Sequence, residues 1–235
     1  MNKIIIDTKE FNLDLNEYLF LDVVCESIIN INVSNNKLNK LLIFNKNNNV
    51  KINIEMHDNS RLEINNLGIN SSISYDINMY NDSNLIIIDS ILTSVDSINN
   101  INIKNIGKNN NSTIYTNGIN LENNKLYFNL NGIVTKDSIN SVLTENSTII
   151  NMDDGDSKII PNLIIDTKEV SANHSAFIGT FSDEELYYLM SRGINKEMAE
   201  NLLLKSILLK GMNLDKDIFI KEIGEYLKIG GDTYE

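Results

Sequence analysis

Short runs of β-branched and aliphatic residues recur along this chain, each closed by a cluster of asparagine, aspartate or serine, and this punctuation restricts the fold more than any other feature. Apolar or alternating stretches fall at 4–6, 21–24, 28–33, 41–44, 50–54, 62–64, 73–77, 85–88, 98–103, 112–115, 126–130, 139–143, 148–150 and 159–165. Their period and composition predict strands. Between them lie Ser34-Asn35-Asn36, Lys46-Asn47-Asn48-Asn49, His57-Asp58-Asn59-Ser60 and Asn81-Asp82-Ser83-Asn84, residues whose side chains cap turns and tolerate left-handed backbone angles. The first two thirds therefore reads as all-β. Spacing alone fits either a sandwich or a solenoid. Pro161 is the single proline, which leaves a large sandwich without its usual loop punctuation, whereas a solenoid can turn its corners on Asn and Gly. No strict repeat is visible.

The 235 residues suffice for one sizeable β domain plus a small appendage, with no need of disulfides to bury a core. No apolar run approaches the roughly 20 residues of a membrane span. The opening MNKIIIDTKEFNLD places polar and acidic residues where a signal peptide needs an apolar stretch, so a cytoplasmic protein without membrane contact is expected. One cysteine, Cys25, excludes an internal disulfide framework and any Cys-x-x-Cys metal site. A net charge of -12 with two arginines, Arg61 and Arg192, leaves no basic stripe for phosphates, so no nucleic-acid partner is expected. The same poverty in cations makes a polysaccharide lyase a poor reading, because uronate carboxylates need neutralising and a proton must be abstracted. Heavy asparagine use fits ladders in stacked strands, but the codon bias of an AT-rich genome is the simpler account.

Composition changes at Gly179. Ser182 followed by Asp183, Glu184 and Glu185 spells a capping box that starts a helix, and Gly193 suits its left-handed end. Asn195 is placed to cap a second helix through Ala199, Leu203 and Ile207 towards Gly211, and Asp215 a third before Gly230 and Gly231. Helices at the end of an open β stack can cover its last strand. Three short helices cannot bury every apolar face there, so Tyr187, Tyr188 and Leu189 are expected to leave an exposed patch.

The stretch 170–204 carries His174-Ser175-Ala176-x-Ile178-Gly179, then Asp-Glu-Glu-Leu-Tyr-Tyr-Leu, Ser-Arg-Gly-Ile and Ala-x-x-Leu-Leu-Leu. It resembles the closing signature of the SufB/SufD family, scaffold subunits of iron–sulfur cluster assembly, over residues 129–209. The resemblance implies a mainly β fold, a right-handed parallel β-helix over 1–179, with a small C-terminal α-helical domain over 180–235. It implies a non-enzymatic scaffold with no catalytic residues, whose tail docks a SufC-like ABC ATPase through Phe181, Leu186, Leu189, Met190, Arg192 and Gly193. Core packing is an equal reading for Leu186 and Leu189. It further implies pairing with a second SufB/SufD-type subunit, or with itself as a homodimer, and a transient iron–sulfur cluster at that interface. The family's N-terminal helical domain has no counterpart here, so the chain reads as a short form.

His174 is the candidate iron or cluster ligand, since neutral imidazole binds first-row metals well. The competing reading is a histidine hydrogen-bonded at a strand–helix junction. Two departures bear on it. The cysteine of the B-type subunit is missing from the corresponding run 151–161, and Ser175 stands where that subunit has glutamate, which brings the chain closer to SufD. Cys25 reads as a small buried hydrophobe, His57 as a solvated loop residue, and Asp153, Asp154 and Asp156 as a solvated turn. The alternative to a cluster scaffold is a purely structural or interaction solenoid.

Overall fold

A computed structural model of the chain describes residues 2–34, 36–212 and 216–227. Two parallel sheets face one another across a narrow interior. The larger runs, in order, through β1 (Asn2–Ile6), β3 (Tyr18–Val23), β5 (Leu38–Lys46), β7 (Arg61–Ile69), β9 (Asn84–Thr93), β11 (Asn111–Asn120), β13 (Ser141–Asn151) and β15 (Val170–Gly179). The smaller holds β2 (Glu10–Leu15), β4 (Ser27–Val33), β6 (Asn49–Met56), β8 (Ser72–Met79), β10 (Ser97–Asn105), β12 (Lys125–Val134) and β14 (Asp156–Ile165). Consecutive strands alternate between sheets, so the chain winds as a parallel β-solenoid. This decides against the sandwich.

Alternation builds the interior. Leu41, Ile43, Ile64, Ile87 and Ile114 from the larger sheet meet Ile52, Ile54, Tyr75, Ile77 and Phe128 from the smaller, all buried in one core. The repeat is hidden because the turn lengthens along the molecule. Ile4 pairs with Leu21, Leu41 with Ile64, and Ile114 with Glu145, so a turn takes 17, then 23, then 31 residues. At the corners, Asn47, Asn59, Asn70, Asp82, Asn109 and Asn140 adopt positive φ, the left-handed region that Asn and Asp enter most readily after glycine. Pro161 lies on β14, the end strand of its sheet, where a missing N–H is tolerated.

The asparagines do form ladders, and composition undersold them. On the outer face of the smaller sheet Asn12, Asn30, Asn53, Asp76, Asn102, Asn131 and Asn162 stack in register. Asn30 Nδ2 donates to Asn12 at 2.9 Å, Asn53 to Asn30 at 2.7 Å, Asn102 to Asp76 at 2.7 Å and Asn131 to Asn102 at 2.8 Å.

Three helices follow: α1 (Asp183–Ser191), α2 (Lys196–Leu208) and α3 (Lys216–Tyr226). The expected caps are present. Ser182 and Glu185 form the capping box, Gly193 takes φ +88°, and the Asn195 side chain accepts from Met198 N at 2.8 Å. The proposed cap at Asp215 and the closing glycines 230 and 231 lie outside the described residues.

These helices do not cover the last strand, as end-capping would require. Leu204 and Leu208 of α2, with Phe219 and Ile223 of α3, pack on the outer face of the larger sheet against Leu42, Leu67, Ile88, Leu92 and Ile119. Ser90 Oγ donates to the Leu208 carbonyl at 2.6 Å and Asn117 Nδ2 to the Lys210 carbonyl at 3.2 Å, so the sheet itself caps the end of α2. Around Ser90 and Asn117 the outward side chains that meet α2 and α3 are mostly apolar, which is why the helices settle on the flank.

Candidate functional site at the open end of the solenoid

With the helices on the flank, the final turn has no cover among the described residues. β14 and β15 are the end strands of their sheets, each paired on one side only. Ile160, Ile164 and Ile165 on β14 and Phe177 and Ile178 on β15 are exposed, Phe177 at 54%. The end of the stack is thus both apolar and unpaired along its edge.

His174 lies mid-strand in β15, not at a strand–helix junction. Its register partner on the preceding turn is Glu145, and the inward column below them reads Ile114, Ile87, Ile64 and Leu41. The imidazole therefore belongs to the lumen-facing set, but no further turn covers it and the residue is exposed. No hydrogen bond holds the ring among the described residues, so the hydrogen-bonded junction histidine is not what this fold contains.

Glu145 was missed by sequence reasoning. It is buried to 3% exposure inside the last complete turn, and its Oε2 has no hydrogen-bond partner. Burial raises its carboxyl to about pKa 7, because the charged form loses its hydration. Gly132 on the facing sheet adjoins it: a Cβ there would collide with Leu143 and Leu163 and sit 3.2 Å from Glu145 Oε1.

The second sequence-derived surface lies on α1, which buries none of its residues. Of the residues proposed to dock a partner, Phe181, Leu186 and Leu189 are half-buried towards the molecule, whereas Met190, Arg192 and Gly193 are exposed. Tyr187 and Tyr188 stand out at 71% and 61% exposure, and the Arg192 guanidinium lies 5.3 Å from the Tyr188 ring. A groove of about 790 Å³ between α1, α2 and the end of the larger sheet is lined by Phe177, Phe181, Tyr188, Leu203 and Ile207 among others.

The remaining candidates scatter. Cys25 precedes β4 near the opposite end of the solenoid, half-buried rather than fully so, with Sγ 3.4 Å from Ser27 Oγ. His57 stacks on Tyr80, ring centroids 5.7 Å apart. Asp153 and Asp154 occupy an exposed turn, and no group of three or more His, Cys, Asp or Glu able to hold a metal occurs among the described residues. No described helix is long and apolar enough to cross a membrane.

The family described as SUF system FeS cluster assembly, SufBD core domain, matches residues 44–207, most of the chain, including the solenoid from β6 to β15 and α1. The chain belongs to the SufB/SufD family. Similar proteins include an iron–sulfur cluster assembly SufBD family protein of Mycobacterium leprae, 51% identical over 47 residues, 20% of this chain and 12% of that protein. A SufBD family protein of Pyrococcus horikoshii is 38% identical over 74 residues, 30% of this chain and 17% of the relative. The iron–sulfur cluster assembly protein SufD of Bacillus subtilis is 47% identical over 53 residues, 23% and 12% of the two chains. The matched stretches therefore span less than a fifth of each relative's length.

Proposed function

We propose that this SufB/SufD-family chain is a non-enzymatic scaffold subunit of a SUF-type iron–sulfur assembly complex. The observation that carries this reading is the division of the molecule into a free end and a free flank. The open last turn offers unpaired parallel edges and exposed apolar side chains around His174. Such an edge invites a second β-solenoid, either another SufB/SufD-type subunit or a second copy, with the nascent cluster as cargo at the junction. The α1 flank offers Tyr187, Tyr188, Met190 and Arg192, an aromatic and cationic set of the kind that anchors protein interfaces. Its partner in this reading is a SufC-like ABC ATPase.

Short connectivity links the two surfaces: β15, which bears His174, runs into α1 within the few residues after Gly179. Movement of an ATPase docked on α1 would therefore reach His174 directly. Co-purification of the full chain with a SufC-like ATPase tests the reading; a stable complex supports it, and failure to associate with both proteins folded overturns it in favour of a purely structural solenoid. His174→Ala is expected to lower maturation of iron–sulfur enzymes while leaving the fold intact, and normal maturation would return His174 to a structural role.

A further inference from the structure

We propose that Glu145 and His174 together form a two-donor half-site for a single first-row divalent metal ion at the mouth of the lumen. This deepens the scaffold reading by naming what the open end takes from this chain: an iron-like ion, not an assembled cluster.

Four observations converge on the pair. Glu145 and His174 are register partners on adjacent turns, and adjacent strands lie about 4.8 Å apart. Both belong to the lumen-facing set, whose other members on this column are aliphatic. Glu145 Oε2 is buried without a partner, and a buried carboxylate oxygen left unpaired is costly unless a cation or donor meets it. A Cβ at Gly132 on the facing sheet would press on the carboxylate, 3.2 Å from Oε1, as well as on Leu143 and Leu163, so the bare glycine leaves this corner of the lumen uncrowded.

The surroundings keep the mouth accessible. Ala172 and Ala176 flank His174 on the same face of β15, too small to close over the ring. The carboxylate and the imidazole make no ion pair with each other within 4.0 Å, and the exposed ring is free to turn towards an ion.

Donor chemistry selects the ligand. One imidazole nitrogen and one carboxylate oxygen suit Fe²⁺, Co²⁺ or Zn²⁺, whereas iron–sulfur clusters are held mainly by thiolates. The single thiol, Cys25, lies near the other end of the stack. Two protein donors leave the remaining coordination positions to water and to whatever subunit faces this end.

Anaerobic titration of the full chain with Co²⁺, followed by ligand-field absorbance and calorimetry, tests the assignment. Wild type should bind Co²⁺ without a sulfur-to-cobalt charge-transfer band, Cys25→Ser should match it, and Glu145→Gln and His174→Ala should each weaken binding at least tenfold. Glu145→Gln is nearly isosteric, so folding checked by circular dichroism should persist; if that variant does not fold, Glu145→Asp, which draws the carboxylate back, should weaken binding in its place. Wild-type affinity in the Glu145 variant with loss in His174→Ala would overturn the role of Glu145 while sparing His174. A thiolate band lost in Cys25→Ser, or no Co²⁺ binding by wild type, would overturn the inference outright. Neither result touches docking of the ATPase, which co-purification reads separately.

Discussion

Asp89 sits fully buried in a polar column that interrupts an aliphatic interior: Leu21, Ile43, Asn66, Asp89, Thr116, Ser147 and Ala176 stack in register. Asn66 Nδ2 donates to Asp89 Oδ1 at 2.7 Å, yet Asp89 Oδ2 and the nearby buried Tyr75 hydroxyl have no hydrogen-bond partner. Burial raises the Asp89 carboxyl from its ordinary 3.8 to about pKa 7, with the Asn66 bond pulling the other way. Below about pH 4 both folded and unfolded chains hold this proton and there is no ionisation penalty. From there to about pH 7 the unfolded chain ionises first, so stability falls as pH rises, by an amount on the order of a few kcal/mol. Asp89→Asn keeps an acceptor for Asn66 and removes the charge. It should raise the unfolding temperature at pH 7.5 and flatten the stability profile between pH 4 and 7, as thermal melts across that range would show. Buried acids of this kind are poorly legible in sequence. Thr144-Glu145-Asn146-Ser147 reads as a polar break, so β13 was expected as two pieces at 139–143 and 148–150, and the same polar signal concealed Glu145 as an inward residue.

At the level of elements, regular alternation was readable and drifting geometry was not. Most strands lie where β-branched periodicity places them. β2, EFNLDL, escaped because only Phe11 and its two leucines are apolar between charged and amide residues. The sandwich–solenoid ambiguity persisted because a turn that grows from 17 to 31 residues leaves no constant period to detect. Helix caps were legible because they are local chemistry, readable without the fold. Their energetic weight differs between helices. α2 is held by buried Ala199, Leu204 and Leu208, whereas α1, with only Leu186 and Leu189 half-buried, depends more on its capping box. Ser182→Ala removes the side-chain acceptor for Glu185 N at 3.2 Å, a loss of about 1 kcal/mol. Hydrogen exchange should accelerate across residues 183–191 and remain slow in β7 and β9. In the ladder, Asn102→Ala removes both the donor to Asp76 and the acceptor of Asn131, and should cost about 1–2 kcal/mol in chemical denaturation.

On the scale of the whole molecule, the placement of the tail matters more than its existence. Sequence foresaw capped helices but set them against the last strand; apolar outward rows on β5, β7, β9 and β11 instead draw α2 and α3 onto the flank. Two exposed surfaces therefore coexist, one at the edge of β14 and β15 and one on α1, and they are separable by mutation. Charge placed on the open end, as Ile160→Lys with Ile164→Lys, alters side chains that are already exposed and should leave folding unchanged. That variant should lose association with a second scaffold subunit while still retaining a SufC-like ATPase. Tyr187→Ala with Tyr188→Ala should do the reverse, since neither ring belongs to a buried core. Size-exclusion chromatography with light scattering reads the first contact and co-purification the second. If either double variant abolished both contacts without unfolding the solenoid, the two surfaces would be one continuous interface, and the short passage from β15 into α1 would be where they merge.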